Sequence, residues 1–239
     1  MESIFSYESK FTQMLLKLAD MMIMNVLYVL CCLPLFTIGA AQAALHTGIR
    51  QMQNPEDDTS CVKAFFRGFA NGFGKITLVH GLGHLLLAVL IWFTQIVYML
   101  AGNALPTWMC LVAIALVILF TSQLPLFHAN FDCKARQLPK NIYLLILAHP
   151  LRSLGVAALI WAPVAVLLLD LFTFMRGLPI WALLYYSIAC LFCYSITKKP
   201  IEELREDFLA AQEPQSEETE NSEETEDSEE TEDSEETEE

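Results

Sequence analysis

Long apolar stretches alternate with shorter polar segments along most of the chain. Five of them carry very little charge: residues 18–38, 76–100, 106–127, 153–174 and 179–197. Because a helix rises about 1.5 Å per residue, about 20 residues cross a hydrocarbon core about 30 Å thick. A soluble domain of this size cannot hide five such helices beneath polar surface. The pattern therefore predicts an all-α fold, a polytopic helical membrane protein with five transmembrane helices.

Two segments between the predicted spans are shorter. Residues 61–75 set four phenylalanines among basic residues, a pattern typical of a helix that lies in the membrane interface. Residues 140–149 form an apolar piece that is too short to cross the bilayer. We expect both to be cytoplasmic interfacial helices that lead into the second and fourth spans.

Basic residues are sorted to one side of the predicted spans. Five alternating spans give that side eleven of the 14 lysines and arginines: Arg50, Lys63, Arg67, Lys75, Lys134, Arg136, Lys140, Arg152, Lys198, Lys199 and Arg205. The other side receives Lys10, Lys17 and Arg176. The positive-inside rule then predicts an external N-terminus and a cytoplasmic C-terminus.

The net charge of −14 belongs to the end of the chain. Residues 213–239 repeat an acidic hexapeptide that begins at Ser216, Ser222, Ser228 and Ser234 and contains no base. Such a segment has no apolar surface to bury, so it predicts a disordered acidic tail after a membrane domain of residues 1–212. The tail is interpreted either as a tether for a basic partner or divalent cations, or as a solvated extension.

A possible helix-packing motif follows the first apolar stretch. Pro34 is expected to kink or end the helix and to free backbone groups, one of which the Thr37 hydroxyl can satisfy. Gly39 and Ala43 belong to a small-residue surface where another helix can approach closely.

The same region carries a family resemblance. Residues 33–45 (LPLFTIGAAQAAL) and 64–69 (AFFRGF) resemble the bacterial YesL family, a membrane domain of unknown function. The resemblance implies a location in the bacterial cytoplasmic membrane. It also implies an association with carbohydrate utilisation, because members are often encoded beside sugar ABC-transporter and polysaccharide-degradation genes. It brings no catalytic residues.

Histidines are the main candidates for chemistry. His80 and His84 are one helical turn apart, and the topology brings His128 and Asp132 near them. The group suits a metal or proton site, or hydrogen bonds between helices. With no His-Glu-x-x-His pattern and no acid beside the pair, hydrogen bonding is favoured over metal.

Deeper polar residues are few. Asp170 is the acid furthest inside a predicted span, with Arg176 close in sequence. It is interpreted as an acid that reaches the outer interface, as a partner of Arg176, or as a proton- or cation-coupling group. Asn25, Gln95 and Gln123 are expected to bridge helices.

The predicted function is that of an accessory or interaction component of a bacterial carbohydrate-uptake system. With no phosphate-loop spacing, nucleophile elbow or soluble domain, we expect neither an enzyme nor a cofactor, and the scattered bases predict no nucleic-acid binding. Expected partners are the lipid bilayer and sugar ABC-transporter permease subunits or a second copy. The alternatives are a small oligomeric transporter or channel, and a membrane metalloenzyme built on His80, His84 and His128.

Overall fold

The computed structural model describes residues 10–54, 59–131 and 138–210, and these ranges contain helices without a β-strand. The helices are α1 (Lys10–Cys31), α2 (Ile38–Gln53), α3 (Cys61–Gly72), α4 (Lys75–Ala101), α5 (Leu105–Asn130), α6 (Leu138–Ala148), α7 (Pro150–Leu169), α8 (Leu171–Ile180) and α9 (Tyr186–Ala210). A 3₁₀ turn at Leu35–Thr37 precedes α2, and a π-helical segment at Trp181–Tyr185 joins α8 to α9. The predicted all-α class is confirmed. The predicted tail, residues 213–239, lies outside the described residues.

Five helices in these ranges are long and apolar enough to cross a membrane, which confirms the predicted polytopic membrane protein. They are Phe11–Cys31, Lys75–Ala101, Leu105–Asn130, Pro150–Leu169 and Leu171–Lys199. Their most apolar windows are only 17% to 39% buried inside the protein, so most of their surface is available to lipid. The limits of the first and fourth predicted spans were wrong: the first helix ends at Cys31 instead of residue 38, and the fourth ends at Leu169 instead of residue 174.

Pro34 accounts for the early end of the first span. A proline disfavours helical backbone at the residue before it and has no N–H to donate, so α1 stops and a short turn follows. The Thr37 Oγ1 hydroxyl lies 2.5 Å from the Cys31 carbonyl oxygen and 2.6 Å from that of Pro34. Because the Pro34 carbonyl already accepts from the Thr37 N–H at 2.9 Å, the group that needs the hydroxyl proton is the Cys31 carbonyl, one backbone group freed at the end of α1, as the sequence predicted.

The segment after this turn is a buried helix. Helix α2 packs against α1, α3, α4 and α5, and its residues from Gly39 to His46 are all buried. Small side chains allow these close approaches: a Cβ added at Gly48 would lie 2.6 Å from Met24 Sδ of α1. Gly39 and Ala43, the small residues predicted to form a packing surface, are both buried in this helix.

Helix α3 begins at a Ser60 cap, whose Oγ accepts from the Lys63 N–H at 3.3 Å. It lies against α2 because Gly68 and Gly72 have no side chains. A Cβ added at Gly68 would lie 3.2 Å from the Ala44 Cα. Helices α3 and α6 confirm that residues 61–75 and 140–149 contain helices, whereas their location at the membrane interface stays a prediction.

The direction of α1 relative to the last span differs from the prediction. Helix α1 is antiparallel to the last span: Asn25 contacts the Trp181 and Ala182 carbonyls, and the Met21 carbonyl accepts from Ser187. The end of α1 near Met21 therefore lies at the same end of the bundle as the C-terminal part of this span. Five alternating spans would have made these helices parallel. The prediction was wrong here because α2, interpreted as part of a loop, is an additional helix that brings the chain back.

Candidate functional site

A half-open cavity of about 440 Å³ lies between the described helices α1, α2, α4, α5, α7 and α9. Its lining is mostly apolar and aromatic, with a few polar groups: Tyr28, Val29, Cys32, Ile38, Gln42, His80, His84, Thr121, Ser122, Ile160, Trp161, Val164 and Tyr186. Ligand sites in proteins commonly have this volume and this combination of an apolar wall with few polar groups. We treat this central cavity as the candidate functional site.

Trp161 is held in the wall by a chain of hydrogen bonds. Its indole Nε1 donates to Ser122 Oγ at 3.0 Å, and the Ser122 hydroxyl donates to the Ile118 carbonyl at 2.7 Å. The Trp161 ring also stacks on the His84 ring, with centroids 5.8 Å apart and planes 12° apart. A tryptophan with its polar edge satisfied presents a fixed apolar surface to a ligand.

Proline chemistry shapes the same wall. Pro163 in α7 removes the N–H that would bind the Leu159 carbonyl four residues earlier. The Tyr185 hydroxyl donates to that carbonyl at 2.8 Å and so ties α7 to the π-helical segment. The neighbouring Tyr186 ring packs against Tyr28, with centroids 4.8 Å apart.

Asn25 supports the π-helical segment from α1. Its Nδ2 donates to the Trp181 carbonyl at 3.1 Å and to the Ala182 carbonyl at 2.6 Å, and its Oδ1 accepts from the Ser187 N–H at 2.9 Å. A π turn displaces backbone groups from their usual helical partners. The buried Asn25 side chain satisfies three of these groups, which confirms the prediction that it bridges helices.

His80 and His84 do come together on the cavity wall, with ring centroids 4.3 Å apart. The Nδ1 of His84 lies 3.0 Å from the His80 carbonyl oxygen. Because a carbonyl only accepts, this nitrogen carries the proton, and in the neutral ring Nε2 is then the acceptor. His80 is 6% exposed, and its Nδ1 has no hydrogen-bond partner among the described residues.

Gly39 explains how His80 reaches this position. A Cβ added at Gly39 would lie 2.6 Å from the His80 Cβ. Only a glycine lets the backbone of α2 pass so close to α4. The packing motif and the histidine pair, which the sequence suggested separately, therefore belong to one contact.

His128 does not join the pair. It lies near the end of α5 and lines a second pocket with Arg50 and Arg67. Within the described ranges no three His, Cys, Asp or Glu side chains are grouped as a metal site requires. The hypothesis of one site built on His80, His84 and His128 is therefore wrong, because α5 carries His128 past the cavity. Asp132, the acid suggested beside them, lies outside the described residues.

Asp170 is exposed at the junction of α7 and α8. Its carboxylate accepts from the Thr173 hydroxyl at 2.5 Å and from the Phe172 and Thr173 N–H groups. These hydrogen bonds, the one from the Thr173 hydroxyl first, lower the pKa of Asp170. The guanidinium of Arg176 lies 4.1 Å from the centre of the Phe172 ring instead of pairing with Asp170. The acid therefore caps the following helix.

The remaining polar candidates do not converge on one path. Gln123 is buried and donates to the Ser153 carbonyl at 3.2 Å, which confirms its bridging role between α5 and α7. Gln95 is exposed on α4, so its predicted bridging role is wrong within the described chain. Neither residue lines the central cavity.

Several cavity residues were missed from the sequence. Gln42 was hidden within a run of small residues, Ser122 lies between Thr121 and Gln123, and Trp161 is surrounded by apolar residues. A polar residue inside a predicted membrane helix is the signal that could have identified Ser122. Tyr28 and Tyr186 carry no comparable signal, because aromatic residues are common in spans for packing alone.

His46 is a further buried polar residue on α2. Its Nε2 lies 3.7 Å from Cys190 Sγ of α9.

Comparison with known protein families gives a match over part of the chain. Residues 21–96 match the family model described as "Protein of unknown function, DUF624". The YesL resemblance is thereby confirmed, since YesL proteins contain DUF624. The DUF624 match covers less than half of the 239-residue chain, but it includes Gln42, His80 and His84 of the cavity wall. No curated protein and no solved structure matches the chain.

Proposed function

We propose that this protein is a non-enzymatic accessory component of a bacterial carbohydrate-uptake system and that it binds a small ligand in the central cavity. The observation that carries the ligand-binding part is the cavity, where Trp161, Tyr28 and Tyr186 supply ring surfaces beside the polar groups of Gln42 and His80. The carbohydrate part is supported by the YesL resemblance alone. No residue of the cavity is given a catalytic role.

The polar groups of the wall define the class of ligand. The Nε2 acceptor of His84 and the side-chain amide of Gln42 offer hydrogen bonds to hydroxyl groups. The surrounding rings favour the flat apolar face of a ligand. A small polyhydroxylated ring, with one apolar face and hydroxyls at its edge, combines both features. Such a ligand in the cavity would report sugar availability to a permease.

The same proposal includes an orientation in the bacterial cytoplasmic membrane. With α2 as a returning helix, Lys10 and Lys17 join the side that carries the other eleven basic residues listed above. Of the lysines and arginines in the sequence, Arg176 alone is then assigned to the opposite side of the membrane. The positive-inside rule places the N-terminal end of α1 in the cytoplasm, which replaces the external N-terminus predicted from five alternating spans.

A small transporter is the second candidate function, favoured by the location of the cavity within the span bundle. It requires a path through the bundle that both sides of the membrane reach in turn. A transport path lined by the polar residues Asn25, Gln95, Gln123 and Asp170 is contradicted by the separate positions of these residues.

A cavity-filling variant tests the proposal. Val29 lines the cavity, whereas Val89 is 52% exposed on α4. The test introduces Val29→Phe and the matched control Val89→Phe into a strain that lacks the native gene. We expect the wild-type and Val89→Phe proteins to restore uptake of labelled sugar, and Val29→Phe to be defective although it reaches the membrane in equal amount.

The outcomes separate the parts of the proposal. Normal sugar uptake without the gene would contradict the carbohydrate role. Full uptake with Val29→Phe would contradict the role of the cavity. Purified protein in liposomes distinguishes the two candidates, because only a transporter moves sugar without a permease.

A further inference from the structure

A second pocket, of about 340 Å³, lies between α2, α3 and the C-terminal end of α5. Its character is opposite to that of the central cavity, because most of its surface is polar. The lining consists of Thr47, Arg50, Arg67, Gly68, Asn71, His128, Ala129, Asn130 and Phe131. The predicted sites included one of these residues, His128, and assigned it to a different place.

Three nitrogen-rich side chains converge on this pocket from different helices. Arg50 comes from α2, Arg67 from α3 and His128 from α5. The Arg50 Nη1 donates to the Ala129 carbonyl at 2.6 Å, which fixes one guanidinium at the wall. Arg67 is exposed, so its guanidinium is accessible from outside the protein.

Close packing of α3 on α2 creates the cluster. A Cβ added at Gly68 would lie 2.8 Å from Thr47 Oγ1. The glycine therefore lets the two helices approach until Arg67 and Arg50 share one pocket. Asn71 lies one helical turn after Arg67 and lines the same wall. Its amide and the Thr47 hydroxyl supply further hydrogen-bonding groups.

The charged side chains among the described lining residues, Arg50 and Arg67, are both basic. A guanidinium group presents a fork of N–H donors that matches the oxygens of a phosphate. Basic pockets between membrane helices on the cytoplasmic side are suited to anionic lipid headgroups.

We propose that this pocket is a binding site for a phosphate group, supplied either by an anionic lipid headgroup or by a soluble phosphate ester. Arg67 and Arg50 bind the phosphate oxygens, and Asn71 and Thr47 hydrogen-bond at its edge. The site is separate from the central cavity and does not depend on the function proposed for it.

The test uses the full chain purified in detergent, with inorganic phosphate as the soluble probe. In a second arm the protein is placed in nanodiscs of phosphatidylcholine with increasing phosphatidylglycerol, and bound lipids are counted by native mass spectrometry. The variant is Arg67→Gln, which removes an exposed charge. Arg152→Gln is the matched control, since Arg152 is also exposed but does not line the pocket.

We expect saturable binding to the wild-type protein and to Arg152→Gln. Binding to Arg67→Gln should be weakened about tenfold, because this variant loses a charge-assisted hydrogen bond to the phosphate. Saturation by phosphatidylglycerol alone identifies the lipid headgroup as the source. Saturation by inorganic phosphate identifies a soluble ligand. Failure of both probes to bind the wild-type protein would overturn the proposal, and so would equal binding by Arg67→Gln and Arg152→Gln.

Discussion

At the scale of single residues, the absence of a side chain determines several helix contacts. Gly39 lets α2 pass the Cβ of His80, and Gly68 lets α3 pass Thr47. Gly83 does the same for Thr121, whose Cγ2 would lie 2.7 Å from an added Cβ. These glycines have a helical backbone. These positions therefore need glycine because a Cβ would overlap the neighbouring helix, and not because the backbone conformation requires glycine.

We expect Gly39→Ala to destabilise the protein by about 1–3 kcal/mol, because the added methyl overlaps the His80 Cβ and the backbone must move. Gly81→Ala is the control, since an added Cβ meets nothing within 4 Å there. Because alanine is favoured over glycine in a helix by about 0.5–1 kcal/mol, Gly81→Ala should stabilise the protein by about that amount. Unfolding in mixed micelles measures both variants, and equal stabilities would contradict the contact.

The sequence was informative about residues whose effect is local. Pro34 ends a helix by its own geometry. Thr37 is close enough in sequence to donate a hydrogen bond to a backbone carbonyl that the helix end leaves without a partner. The contact of Gly39 with His80 could not be predicted, because it depends on two helices separated by α3. His128 was misplaced for the same reason: neighbouring ends of predicted spans do not define which side chains meet.

At the scale of elements, the main difference from prediction is α2. Its sequence contains Gln42, His46, Arg50 and Gln51 among small residues, so its hydropathy is too low to suggest a core helix. It is buried because four other helices surround it, and its polar side chains are directed into contacts such as that of Arg50 with Ala129. Apolar length identified the five long helices reliably, but it cannot detect a helix that protein surrounds instead of lipid.

The contact between α1 and the π-helical segment has a measurable contribution. Asn25→Leu leaves the Trp181 and Ala182 carbonyls and the Ser187 N–H without this partner. We expect a loss of at least about 1–3 kcal/mol, the typical cost of a buried unsatisfied group. Gln95→Leu is the control, because Gln95 is exposed on α4, and its effect should stay within about 0.5 kcal/mol. A similar small effect of Asn25→Leu, measured by unfolding in mixed micelles, would remove Asn25 from the packing account.

At the scale of the whole molecule, the bundle combines a lipid-accessible exterior with two unlike pockets. Exposed side chains such as Leu100 and Leu168, at 84% and 81% exposure, indicate an apolar solvent around the spans. The central cavity and the basic pocket are both bordered by α2 and α5. These two helices therefore position both candidate sites.

Cysteine labelling in intact cells tests the central claim, a membrane bundle with the N-terminal end of α1 in the cytoplasm. In a background with the seven native cysteines replaced, Lys17→Cys and Asn103→Cys are treated with a membrane-impermeant maleimide before and after permeabilisation. Residue 103 lies in the link between α4 and α5, at the opposite end of α4 from Lys75. We predict labelling of Asn103→Cys in intact cells and of Lys17→Cys only after permeabilisation. Labelling of Lys17→Cys in intact cells would contradict the account.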